Sequence, residues 1–204
     1  MATPVGHTLA GLAVSSVAGL QPRRADRSLV LLTVLMAVAP DLDVLPGLLL
    51  NTPARFHSEM THSLAFALVI SVVVAGVYYL RRGEFARIFK LCFVAYTSHL
   101  VLDMMGADGR EPFGIPLLWP FSDTHLLFPV TLLPGVRHAS SASSSLMEFM
   151  MRLVSVENII TIGVEILLIS PFILLGRWRC ALSSRLPGCQ QQRLEGSVPQ
   201  ERIL

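Results

Sequence analysis

Apolar residues gather into five blocks along this chain, about residues 8–20, 28–50, 64–80, 88–105 and 158–176, with polar stretches between them. A membrane-crossing helix needs roughly 17–25 predominantly apolar residues. The third, fourth and fifth blocks reach or approach that length. The first is shorter and rich in Gly, Ala and Ser, which lets helix backbones approach one another closely. The second is interrupted by APDLDVLPG, where Pro40 and Pro46 each remove a backbone N–H and disfavour helix in the preceding residue. The pattern predicts a helix over about Leu29–Val38 followed by a broken segment. Irregular backbone at membrane depth persists only against protein or a wet cavity, so the break itself points to a site. The expected fold class is all-α: a polytopic transmembrane bundle of about five helices with a broken second hydrophobic segment.

Composition agrees with that class. The chain has 204 residues, of which 52% are hydrophobic and 15% charged, and its mean hydropathy is +0.60. A soluble domain usually carries about 25% charged residues. No boundary interrupts the apolar pattern, so residues 1–180 read as one membrane domain and residues 181–204 as a polar, disordered tail. A net charge of +2 and the lack of a basic patch with interleaved aromatics argue against a nucleic-acid partner. Cys92, Cys180 and Cys189 have neither metal spacing nor the pattern of a disulfide framework. The opening MATPVGHTLAGLAVSSVAGL lacks the basic residues of a signal-peptide start and reads as retained sequence.

The basic residues set an expected orientation. Of 16 Lys and Arg residues, most fall in three regions: Arg23, Arg24 and Arg27; Arg81, Arg82, Arg87 and Lys90; and Arg177, Arg179, Arg185, Arg193 and Arg202. The alternate loops hold only Arg55, Arg110, Arg137 and Arg152. By the positive-inside rule, five crossings leave the N-terminus outside and the C-terminus in the cytoplasm.

The unusual polar residues then fall on one side. His7 starts the first block, Asp41 and Asp43 follow the second helix, and His57 and His62 precede the third block. His99 and Asp103 sit on the outer half of the fourth, one helical turn apart on one face. Singly, each has an ordinary explanation: an interfacial histidine, a Pro–Asp turn, a helix-stabilising pair. His57 and His62 do not align on a helix, so one must lie in a loop. His125 and His138 read as ordinary loop residues. Jointly the set needs more, because an Asp at a helix centre in a bilayer costs about 2.5–3.5 kcal/mol. A divalent cation offsets carboxylate charge and takes imidazole nitrogen directly. Mixed His and Asp ligands suit zinc, and also manganese or iron. Seven candidate ligands exceed the four of a structural zinc, which favours a catalytic or dinuclear site. Asp41 and Asp43 are the candidates to bridge two ions or act as general base, and Thr61, Ser63 and Ser98 to orient ligands or bind substrate oxygens.

The order GH…PDLD…H…THS…SHLVLD…G…PLLWPF resembles the YdjM family of bacterial inner-membrane proteins, described as membrane-bound metal-dependent hydrolases. The resemblance covers about residues 4–122 and implies a polar signature at His7, Asp41, Asp43, His57, His62, His99 and Asp103. The His-x-x-x-Asp element is also similar to one in zinc-dependent phospholipase C and P1-type nucleases, which implies phosphoester hydrolysis, by analogy only. Where the family pattern reads HRGxTHS this chain reads HSEMTHS, with Ser58 and Glu59 in place of an arginine and a glycine. Arg55 is the nearest basic substitute, and Glu59 is a further candidate ligand.

The expectation is therefore an integral membrane, metal-dependent hydrolase near the outer face, with membrane lipids around it and a lipid or other phosphoester as substrate. Two rivals use the same residues. A metal or proton transporter requires polar groups at several depths, with Glu165 in the fifth block as its one inner candidate. A catalytically inactive metal-binding scaffold keeps the ion without turnover.

Overall fold

The computed structural model describes residues 1–20, 26–51, 56–109, 111–136, 147, 151 and 155–183. Arg55, His138, Cys189 and nearly all of the expected polar tail lie outside them. The described chain is helical: α1 (Pro4–Val17), α2 (Arg27–Val38), a 3-10 turn (Ala39–Asp43), α3 (Val44–Leu49), a second 3-10 turn (Met60–His62), α4 (Leu64–Arg82), α5 (Phe85–Met105) and α6 (Val156–Ser183). Four segments are long and apolar enough to cross a membrane: Arg27–Leu49, Leu64–Arg81, Phe85–Met105 and Val156–Ser183. At 14 residues, α1 is about 21 Å long, short of a hydrocarbon core of about 30 Å. It is an internal helix, packed against α6, α2 and α5.

Local chemistry explains where the elements begin and end. Thr3 caps α1 by accepting from the Gly6 N–H, and Pro4 takes the first position, where its missing donor goes unnoticed. Ser63 caps α4 by accepting from the Phe66 N–H, and Gly83 closes that helix at φ 74°. The second segment changes its winding at the prolines. Pro40 opens the 3-10 turn and Pro46 falls in the first turn of α3, so the backbone stays helical through the break.

Small residues let α1 sit inside the bundle. A Cβ added at Gly11 would meet Val34 Cα at 2.7 Å, and one at Gly176 would meet the Ser16 carbonyl carbon at 2.4 Å. Away from this core, Leu68, Val69, Val72, Val73 and Val77 of α4 are exposed. That face suits lipid rather than water. After α5 the chain folds back over one end of the bundle. Phe128 N–H donates to Met104 O, Ala107 N–H to Leu133 O and Leu64 N–H to Leu117 O, while Ile115 and Leu133 are buried beneath.

Candidate metal centre

The start of α1, the turn after α2, the approach to α4 and the end of α5 meet at that same end. They bring His7, Asp41, Asp43, His57, His62, His99 and Asp103 together. His7 lies in the first turns of α1, its Nε2 3.3 Å from Asp103 Oδ1, and its ring stacks on His99 with centroids 3.6 Å apart. Asp41 and Asp43 project from the 3-10 turn. His57 precedes Ser58, which turns the loop at φ 70°. That turn and the following 3-10 segment let His57 and His62 approach one carboxylate despite their five-residue spacing. His99 and Asp103, one turn apart on α5, are both buried, with His99 Nε2 3.1 Å from Asp103 Oδ2.

Asp41 stands at the middle of the group. Its carboxylate lies 3.5 Å from His99 Nε2, 3.8 Å from His62 Nε2, and 3.9 Å from both His57 Nε2 and His7 Nε2. Two sets of side chains could each hold an ion: His7, Asp41, His99 and Asp103; and Asp41, His57 and His62. Asp41 is common to both. Atoms 2.0–2.2 Å from one tetrahedral ion stand about 3.3–3.6 Å apart, and several of the separations here match that edge. A buried atom also lacks an ordinary partner: Asp103 Oδ2 makes no hydrogen bond, although His99 and His62 nitrogens stand 3.1 and 3.4 Å from it. These donors fit a divalent cation.

Asp43 has a different place. Its Oδ1 accepts from His57 Nδ1 at 2.8 Å, and its Oδ2 accepts from the Ser58 N–H at 3.0 Å and the Thr61 hydroxyl at 2.8 Å. His62 Nδ1 stands 3.2 Å from the same Oδ2. The carboxylate therefore holds two imidazoles by their Nδ1 atoms and points both Nε2 atoms inward, the arrangement that fixes tautomer and direction in metal-binding histidines. His99 is held likewise, donating from Nδ1 to Ala37 O at 2.7 Å. Ala37 is in the last turn of α2, where carbonyls lack intrahelical partners. Burial alone would lower the His62 pKa, but Asp103, Asp41 and Asp43 outweigh it and raise it well above the ordinary histidine value.

The chain matches the family model of the YdjM inner membrane protein over residues 1–178. It belongs to that family. No curated protein and no solved structure is a match for it. Family membership and four apolar helices of spanning length make this YdjM protein an integral membrane protein. Several residues of its site gave no sequence signal. Ala2 N–H donates to Asp103 Oδ1 at 2.9 Å, and the Ala37 carbonyl orients His99; both act through backbone. Tyr96, whose hydroxyl donates to Thr61 O at 2.8 Å, lies one turn before His99, a spacing that could have revealed it. Of the three hydroxyl candidates, Thr61 reaches Asp43, whereas Ser98 donates to Ala95 O within its own helix and Ser63 caps α4. Glu59 is exposed and outside both cation-holding sets; His125 is half-buried and lines a neighbouring cavity.

Proposed function

We propose that this YdjM protein is a metal-dependent hydrolase that cleaves a phosphoester or lipid-linked ester at the outer face of the membrane. The observation that carries the reading is the convergence of His7, Asp41, His57, His62, His99 and Asp103 on one small volume, with three of the imidazoles oriented through Nδ1. These six are the proposed ligands. A divalent ion there, zinc best matching the donors, would supply Lewis acidity toward a substrate oxygen and lower the pKa of a water to about 7. Asp43 orients His57 and His62. Asp41, whose side chain is 21% exposed against 1% for Asp103, is the most open of the six; holding an ion by one oxygen, it would keep the other to accept a proton from the attacking water. The end opposite the site carries Arg27, Arg81, Arg87, Arg177 and Arg179. By the positive-inside rule that end faces the cytoplasm and the site faces outward.

The transporter reading has less support. Among the described residues, the buried imidazoles and carboxylates are His7, His57, His62, His99, Asp103 and Glu165. Glu165 lies beside Thr3 and Gly6, near the start of α1, so even this residue belongs to the site end. The deciding experiment is metal analysis of the purified full chain, followed by assays on chromogenic phosphoesters and short-chain phospholipids with and without chelator. Bound metal together with chelator-sensitive turnover that Asp41→Asn abolishes is expected. Bound metal without turnover on any ester would sink the hydrolase reading and leave a metal-binding scaffold.

A further inference from the structure

A cavity of about 730 Å³ opens beside Asp43, which orients His57 and His62, and Thr61, which donates to that carboxylate. Much of its wall is apolar, from Pro46, Met60, Pro116 and Trp119, while Glu59 and Asp123 bring exposed carboxylates to its edge. The loop that supplies Pro116 to Asp123 also turns large apolar side chains outward. Phe121 is 92% exposed and Leu118 is exposed in the same loop, as are Phe113 before it and Val130 after it in the chain. In an integral membrane protein such a rim lies in the interface, where aromatic and apolar side chains meet lipid headgroups.

The wall and the edge together select a ligand. Apolar walls next to a polar centre suit an amphiphile. Carboxylates at the edge attract a cation and repel an anionic headgroup. Trp119 adds an indole to the lining, and an indole face attracts an ammonium group. We infer that the cavity binds a zwitterionic phospholipid by its ammonium headgroup, held between Trp119, Glu59 and Asp123. The phosphoester then lies toward the His and Asp cluster. This deepens the hydrolase reading and rests on it for the phosphoester, while the binding itself is measurable without metal or turnover.

The chain has two tryptophans, so Trp178→Phe leaves Trp119 as the sole indole reporter. The detergent-purified full chain carrying this change is titrated in chelator with dihexanoyl phosphatidylethanolamine, dihexanoyl phosphatidylglycerol and free phosphorylethanolamine. A saturable fluorescence change is expected with the first, with affinity about fivefold or more above that for the glycerol lipid. Adding Glu59→Gln and Asp123→Asn, both at exposed positions, should remove that preference. Equal affinity for the two lipids, or a preference that survives the double change, would overturn the inference. Free phosphorylethanolamine binding as tightly as the lipid would overturn the lipid source in favour of a soluble one. Lipid selectivity in a protein that holds no metal when supplied with it would instead defeat the hydrolase reading and leave the headgroup site standing.

Discussion

His62 Nε2 and His99 Nε2 face one another at 3.2 Å inside the bundle. His99 spends its Nδ1 proton on Ala37 O, and His62 Nδ1 faces the Asp43 carboxylate. In their neutral forms both rings therefore present lone pairs to the same point, which a shared proton or a cation must occupy. A cation takes both. We predict that His62→Ala and His99→Ala each weaken metal binding at least about tenfold while leaving helix content intact. Metal analysis beside circular dichroism checks this. Full metal content in folded variants would mean that the two rings are only a hydrogen-bonded pair.

Asp43 tests orientation separately from ligation. Its oxygens are taken up by His57, Ser58 and Thr61, with His62 close by, so Asp43→Asn removes charge without deleting a proposed ligand. A loss of about 10–100-fold in metal affinity is expected. Asp123→Asn, at the cavity edge, should leave affinity unchanged. Competition against a chelating dye measures both, and equal affinities in the two variants would contradict the orienting role.

Proton linkage gives a third expectation. The carboxylates raise the His62 pKa above its ordinary value, so its imidazolium stabilises the metal-free fold. A group of this sign contributes fully below its unfolded pKa of about 6.5 and loses the contribution as pH rises through the folded value. The metal-free protein should therefore lose thermal stability as pH climbs above about 6.5. The metal-loaded form should gain relative to it, because binding displaces that proton. Unfolding temperatures across this range, with and without metal, test the crossing. A metal-free protein that becomes more stable over that interval would contradict it.

Much of this arrangement is legible in the sequence because membrane helices announce themselves by length and apolarity. The blocks at 64–80, 88–105 and 158–176 become Leu64–Arg82, Phe85–Met105 and Val156–Ser183, each extended at one or both ends by a segment whose charged residues, such as Arg81, Arg87, Glu157 and Arg177, end a hydropathy reading early. The two prolines mark the place where the winding changes, though not that it remains helical: 3-10 geometry tolerates Pro40, and the first turn of α3 tolerates Pro46. That the imidazoles and carboxylates share one end follows from counting spans. What stays hidden is the division of labour among them. Asp41 and Asp43 are two residues apart with the same chemistry, and only the packing of the His57 loop decides which faces the centre and which holds the imidazoles. Backbone partners such as Ala2 and Ala37 carry no side-chain signal at all.

The internal position of α1 depends on glycine where backbones nearly touch. At Gly11 an added Cβ would stand 2.7 Å from Val34 Cα and 2.9 Å from Thr33 O, with no flexible side chain to yield. Gly11→Ala should cost about 1–3 kcal/mol through displaced helices and lower the unfolding temperature in detergent. Gly76 has nothing within 4 Å of its added Cβ, so Gly76→Ala should be neutral or slightly stabilising. Equal effects at the two sites would mean that α1 is not held as tightly as its contacts imply.

Glu165 should act on the centre without touching it. Its carboxyl is buried on α6 and accepts from the Thr3 N–H at 2.6 Å and from the Thr3 hydroxyl. The hydroxyl oxygen in turn accepts from Gly6 N–H to cap α1. Gly6 leaves room for the carboxyl, since an added Cβ would lie 2.6 Å from its Cδ. The start of α1 is thereby fixed where Ala2 N–H meets Asp103 and His7 meets both Asp103 and His99. Glu165→Ala leaves the buried Thr3 donors unsatisfied and should cost about 1–3 kcal/mol, with metal affinity falling because His7 loses its anchor. Glu165→Gln keeps one acceptor oxygen and should fall between the alanine variant and the parent on both measures. A transporter predicts another pattern: Glu165→Gln would leave stability and affinity unchanged yet abolish metal or proton flux into vesicles. Stability, affinity and flux measured on these two variants separate an anchor for α1 from a step in a permeation path.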